Sequence, residues 1–134
     1  MPIESPGRRT RILLVDDCAL VRQALKELLE HEEDLSVCGE AEDREGALAA
    51  VDECNPDLAI VDLRLRGSDG MELIRDLHRE YPRLLLLVLS MYDESVYAEE
   101  AIRAGASGYV SKLEATSKLM DALRFVLRGE IYRR

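Results

Sequence analysis

"LAIVDLRLRGSDG", residues 58–70, opens as an oily run of Leu58, Ala59, Ile60 and Val61 and closes that run with one acid, Asp62. Aspartate is among the poorest strand formers, so its place here calls for a reason. The same pattern occurs earlier, where "RILLVDD" at 11–17 ends in two acids, Asp16 and Asp17.

Outward from these two runs, apolar strands alternate with helical patterns. Arg11 to Asp16 reads as a first strand, and Leu35 to Ala41 as a weaker second whose glycine suggests an edge position. Leu58 to Asp62 is the third, Arg83 to Ser90 the fourth and Ser107 to Ser111 a short fifth. After the first strand, Val21, Ala24, Leu25, Leu28 and Leu29 fall at helical spacing. An Ala-rich helix from Asp43 to Cys54 stops at Asn55-Pro56. Further helices span about 69–81 and 93–104, the latter with a poorly defined apolar face. The last, about 115–128, carries Leu119, Ala122, Leu123, Val126 and Leu127 as its stripe. Five strand–helix pairs predict an α/β fold, a flavodoxin-like (βα)5 doubly wound parallel sheet in strand order 2-1-3-4-5.

Composition bounds the possible functions. The chain has 134 residues, about one domain, and 47% of them are apolar, which is a folding composition. Acids outnumber Lys and Arg by 27 to 18, for a net charge of −9, which argues against direct nucleic-acid binding by this chain. The longest apolar stretch, Leu84 to Leu89, is far too short to span a bilayer. Cys18, Cys38 and Cys54 are odd in number and form no C-x-x-C, so they read as small packed hydrophobes in a reducing cytosol, Cys18 at a helix start. Residues 1–10, MPIESPGRRT, read as a flexible leader without a signal-peptide core, and the protein as cytoplasmic.

Right-handed crossovers put every strand's carboxyl end on one edge of the sheet, where ligands of such folds bind. Strands one and three are neighbours there, so Asp16, Asp17 and Asp62 are expected to share one small pocket. Three carboxylates so close repel one another. A divalent cation offsets that charge most directly, and hard oxygen ligands with room for water suit Mg²⁺. Ser90 ends the fourth strand with a hydroxyl, and Lys112 follows the fifth with an ammonium able to pair with a carboxylate or phosphate. Acids, metal, hydroxyl and lysine form an apparatus for phosphoryl transfer, with Asp62 as the nucleophile that forms an acyl phosphate. No G-x-G-x-x-G or P-loop follows the first strand, which argues against NAD or ATP as ligand.

With "LLVDD", "AIVDLRLRGSDG", "LVLSMYD" and "ASGYVSKLEA" in this order, the chain resembles the receiver domain of two-component response regulators over residues 11–128. "SMYDES" and "ALRFVLRGEIY" are most similar to the NarL/LuxR subfamily. The resemblance implies that Asp62 accepts a phosphoryl group from a sensor histidine kinase. Asp17, Asp62 and the backbone carbonyl of Arg64 would hold Mg²⁺ directly, and Asp16 partly through water. Ser90 and Lys112 would engage the phosphoryl oxygens, and Tyr109 would be the aromatic that turns inward as the switch is thrown. Such a module catalyses its own phosphorylation and dephosphorylation and is not otherwise an enzyme. The resemblance also implies transcriptional output through a separate DNA-binding domain, residues 129–134 as the start of a linker or tail, and homodimerisation through the fourth helix, fifth strand and fifth helix.

Two departures from the family pattern bear on the loops. Arg66 stands where proline is usual, which restores backbone freedom. Leu113 follows Lys112 in place of proline, so a trans peptide is expected there. Arg64 and Tyr92 resemble positions flanking the path of hydrolytic water, and together are expected to slow loss of the phosphoryl group. Two alternatives stand beside the receiver: a pseudo-receiver that works without phosphate, and a Mg²⁺-dependent aspartyl phosphatase. Arginine at position 64 and short loops speak against the phosphatase.

Overall fold

The computed structural model describes residues 9–65, 68–91, 94–112 and 116–133; the expectations placed on residues 1–8, Arg66, Tyr92 and Leu113 lie outside them. Along the chain run β1 (Thr10–Val15), α1 (Ala19–Glu30), β2 (Leu35–Ala41), α2 (Arg44–Cys54) and β3 (Leu58–Val61). Two antiparallel strands of two residues each, β4 (Arg64–Leu65) and β5 (Ser68–Asp69), lead into α3 (Gly70–Glu80). There follow β6 (Leu85–Ser90), α4 (Glu94–Ala104), β7 (Gly108–Ser111), α5 (Thr116–Leu127) and β8 (Tyr132–Arg133). The main sheet is parallel in the order β2-β1-β3-β6-β7-β8. With β4 and β5 left out of the count, this is the expected 2-1-3-4-5 order, extended at one edge by β8.

Alternation along the central strands builds two cores. Ile12, Leu14, Leu58 and Ile60 face α1 and α5, where they pack with Leu25, Leu29, Leu119, Leu123 and Val126. Leu13, Val15, Ala59 and Val61 face α2, α3 and α4, among Ala47, Val51, Leu73, Ile74, Leu77 and Ala101. A strand with apolar side chains on both faces is stable only when both faces are covered, which is why these runs read as continuous and not alternating. The ill-defined face of α4 has a simple cause. Among its described side chains, Ala98 and Ala101 are the buried ones, and small residues give little periodic signal.

Local chemistry sets the helix ends next to the site. The Asp69 side chain accepts from the Met71 N–H at 3.0 Å and caps α3. Gly70 is required by close approach: a Cβ there would lie 2.4 Å from the Leu63 backbone, while the Gly70 N–H donates to the Leu63 carbonyl at 3.1 Å. At the far end of α2, Asn55 takes the left-handed conformation at φ 52° and ends the helix before Pro56.

Three features depart from the sequence reading. The stretch after Asp62 carries the antiparallel pair β4 and β5 and is not a plain loop. Residues 132–133, read as linker or tail, add a strand whose Tyr132 ring meets Phe125 edge-on at 5.7 Å. The cysteines are free thiols but less buried than expected: Cys18 is exposed at the N-cap of α1, and Cys38 and Cys54 are half-buried. Cys38 sits where the β1–β2 register slips, and the Cys54 thiol donates to its carbonyl at 3.1 Å. Burial pushes the Cys38 thiol up to about 11, aided by the neighbouring Cys54, so Cys38 is a poor nucleophile.

Candidate phosphoacceptor and metal site

Parallel strands end side by side, and that brings the three acids together. Asp16 and Asp17 follow β1, Asp62 follows β3, and a carboxylate oxygen from each lies within 4.8 Å of the others. Asp16 and Asp62 are 3% and 5% exposed, so they bear most of the cost of leaving water, while Asp17 is only half-buried. The main chain fixes both buried acids. The Asp62 N–H donates to the Val15 carbonyl at 2.9 Å, and the Asp16 N–H donates to the Ala41 carbonyl at 3.0 Å.

Lys112, one residue past β7, supplies the countercharge. Its Nζ lies 2.9 Å from Asp16 Oδ2 and 2.9 Å from Asp62 Oδ2, so one ammonium bridges the ends of two strands. Its main-chain N–H donates to the Ser90 carbonyl at 2.7 Å, which ties the lysine to the end of β6. One cation against three carboxylates leaves the pocket negative. Burial pushes the Asp62 carboxyl above the usual carboxylate range, and the Asp16 charge adds to this; Lys112 and the Arg64 N–H offset it only in part. Burial alone would lower Lys112, but its hydrogen bonds to Asp62 and Asp16 outweigh that and hold the ammonium above its ordinary value.

Among the described residues, those named for the site from the sequence stand at this edge or just behind it. Ser90, wholly buried, ends β6, and Tyr109 is wholly buried in β7, three residues before Lys112. The Tyr109 ring lies in the core facing α2, α3 and α4. The Arg64 N–H donates to Asp62 Oδ1 at 3.1 Å, closing a turn that holds the carboxylate. Its exposed side chain lines an open cavity of about 480 Å³ with Asp69, Arg75, Tyr97 and Glu100.

One contributor escapes sequence reasoning. Arg22, in the first turn of α1, donates from Nη1 to the Asp16 carbonyl at 2.6 Å and from Nε to Glu40 at 2.8 Å. The available signal is slight: an arginine one helical turn past an acid pair looks like any solvated helix residue. The chemistry open to this site is that of hard cations and phosphate. Three oxygen donors suit Mg²⁺, and a buried carboxylate beside a lysine suits attack on an electrophilic phosphorus.

Residues 12–124 match the family model for the response regulator receiver domain. The chain is 43% identical over 119 residues to the DNA-binding transcriptional activator DevR/DosR of Mycobacterium tuberculosis, covering 89% of this chain and 55% of that protein. Among solved structures, a LuxR-family two-component response regulator from Aurantimonas sp. is 34% identical with TM-score 0.88, over 92% of this chain and 89% of that one. The isolated REC domain of RcsB from Salmonella enterica, solved with the phosphomimetic BeF3−, is 26% identical with TM-score 0.85, over 92% of each chain. The chain spans about half the length of the curated relatives it matches.

Proposed function

The chain belongs to the response regulator receiver domain family, and from that premise we propose that it is a phosphoacceptor switch in which Asp62 takes a phosphoryl group from a sensor histidine kinase. One observation carries the proposal: Asp62 is buried, held at both oxygens, and joined by Lys112 to a second acid 2.9 Å from the same ammonium. In the transfer, an Asp62 oxygen attacks the phosphorus of a phosphohistidine protonated on its other ring nitrogen, the P–N bond breaks with its electron pair passing to the ring, the imidazole leaves neutral, and an acyl phosphate remains.

Each neighbour has a task in that step. The Arg64 N–H and Lys112 fix the rotation of the Asp62 carboxylate, so attack costs little reorganisation. The raised Asp62 makes its carboxylate a better nucleophile than an exposed one. The acid trio fits a divalent cation, and Asp16, Asp17, Asp62 and the Arg64 carbonyl are the groups that would hold Mg²⁺, which neutralises charge on the phosphoryl oxygens when bound. Lys112 and the Ser90 hydroxyl would pair with the transferred group, drawing Ser90 and the strand of Tyr109 toward the edge. On this reading Arg64 also shields the acyl phosphate from water.

The switch would act in the cytoplasm and control transcription through a DNA-binding domain outside this chain. The face formed by α4, β7 and α5 is the proposed homodimer surface. No helix among the described residues is long and apolar enough to cross a membrane. Apart from its own phosphorylation and dephosphorylation, no turnover is expected.

Intact-mass measurement after incubation with acetyl phosphate and Mg²⁺ tests the proposal. The expected result is one phosphoryl adduct, absent in Asp62→Asn and absent without the metal. Failure to form an adduct would favour a phosphate-independent interaction module. Sustained hydrolysis of simple phosphomonoesters would favour a phosphatase.

A further inference from the structure

We propose that Arg22 is a positioning residue that holds the β1–α1 turn in the shape the acid site needs. The proposal rests on the metal-binding reading above but on a different observation, the way Asp16 is bound. Each of its four polar groups has a partner from a different part of the fold. Its N–H donates to Ala41 at the end of β2, and its Oδ1 accepts from the Cys18 N–H at 2.9 Å. Its Oδ2 accepts from Lys112 at 2.9 Å, and its carbonyl accepts from Arg22 at 2.6 Å.

The carbonyl is the telling member. It belongs to the planar peptide joining Asp16 to Asp17, so its direction sets the direction in which Asp17 leaves the chain. The paired residues of β1 end at Val15 on both of its neighbours, so no strand holds this carbonyl. Arg22 holds it instead, and is itself fixed. Its side chain is 16% exposed, and its Nε is paired with Glu40 on β2. A guanidinium can serve both acceptors at once because its donors are spread in a rigid fork; a lysine offers one point of charge.

Electrostatics predicts the opposite consequence, which makes the inference decidable. A guanidinium close to an acid cluster repels an arriving cation, so charge alone would have Mg²⁺ bind more tightly once Arg22 is removed. A clamp predicts weaker binding, because partners of metal ligands matter through the geometry they impose.

Calorimetric titration of the full chain with MgCl2 reads the sign. Mg²⁺ affinity should fall roughly tenfold in Arg22→Ala, and fall in Arg22→Lys and Glu40→Ala as well. Residue-resolved amide exchange supplies a readout that general destabilisation would not mimic. The Cys18 N–H, which depends on the orientation of Asp16, should exchange faster, while amides of α3 and β6 keep their protection. Affinity equal to or tighter than wild type in Arg22→Ala, or exchange accelerated evenly over the chain, would overturn the clamp. If Arg22→Ala does not fold, Arg22→Lys, which keeps the charge and loses the fork, carries both readouts, and unchanged Mg²⁺ affinity there overturns the clamp. A wild-type chain that takes up no Mg²⁺ would sink the metal reading alone, and Cys18 exchange would then decide the clamp, an unchanged rate overturning it.

Discussion

The Lys112 ammonium lies 2.9 Å from Asp62 across a sequence separation of 50 residues, and the pair still leaves Asp62 raised above an ordinary carboxylate. Burial and Asp16 together outweigh the lysine. A carboxyl group raised by folding favours the folded state most when protonated, below its unfolded value of about 3.9. That contribution is lost as pH rises through the folded value. Once the pH has risen through that value, the ionised Asp62 opposes folding.

Replacing Asp62 by asparagine should thus raise the thermal midpoint of the metal-free chain at pH 7, keeping the shape and removing the charge. The gain should shrink as the pH is lowered from 7 toward the ordinary carboxylate range, through the raised folded value at which wild-type Asp62 takes up its proton. Thermal unfolding of both proteins across that range, in the presence of a chelator, checks it. A gain that stays constant down to pH 4 would contradict the assigned direction.

Lys112→Met should destabilise the chain, because it leaves two buried carboxylates facing each other without a countercharge. Breaking a buried pair costs about 3–5 kcal/mol, and because Lys112 is 17% exposed the lower part of that range is expected. Millimolar Mg²⁺ should restore much of the loss, since a cation held by the three acids replaces the missing charge. Alkaline unfolding gives a second check. The stabilisation from a raised lysine is complete below its unfolded value of about 10.4 and disappears as pH climbs through the higher folded value. Wild type should therefore lose its advantage over Lys112→Met only in strong alkali. Urea titrations with and without the metal measure both effects.

Much of this site could be read from the chain because its parts sit at strand ends. Asp62 after "LAIV" and Asp16-Asp17 after "RILLV" are legible, since a short apolar run marks a buried strand and a parallel sheet puts all carboxyl ends on one edge. Ser90 and Lys112 follow by the same logic. The pairing of β4 with β5 was not legible, since two-residue strands are too short to show a period. Nor was β8, where Tyr132 and Arg133 pair with Gly108 and Tyr109 through backbone groups that leave no mark on side-chain pattern. Arg22 was hidden because its partner is a carbonyl, which every residue has.

Gly70 links the fold to the site and gives a sharper structural test. Any side chain there meets the Leu63 backbone, directly after the phosphoacceptor, at 2.4 Å. Gly70→Ala must either push α3 away or shift the backbone that carries Asp62. Overpacking of this kind costs about 1–3 kcal/mol. The expected outcome is a lower denaturation midpoint together with slower adduct formation from acetyl phosphate. Gly129 is the control, since its added Cβ meets nothing within 4 Å. Its φ of +88° makes Gly129→Asn the gentler choice, because asparagine tolerates that region best. Gly129→Asn should leave the adduct rate unchanged.

Arg124 gives the complementary case, an ion pair far from the acids whose removal should matter little. It reaches Asp34 at 2.6 Å and Glu32 at 2.9 Å, tying α5 to the turn before β2. Its hydrogen bond holds the Asp34 carboxyl below the usual range, offset in part by burial. A lowered carboxylate adds stability above its unfolded value, and that stability is lost as pH falls through the folded one. Asp34 is 60% exposed on its side chain, so solvent and salt screen the pair, and Arg124→Ala should cost less than about 1 kcal/mol. The small loss should shrink further in 1 M NaCl and vanish in strong acid. Denaturation of the variant in low and high salt at pH 7, and again near pH 2, checks each step. A loss as large as that of Lys112→Met, and indifferent to salt, would mean that Arg124 acts through packing against its neighbours and not through its charge.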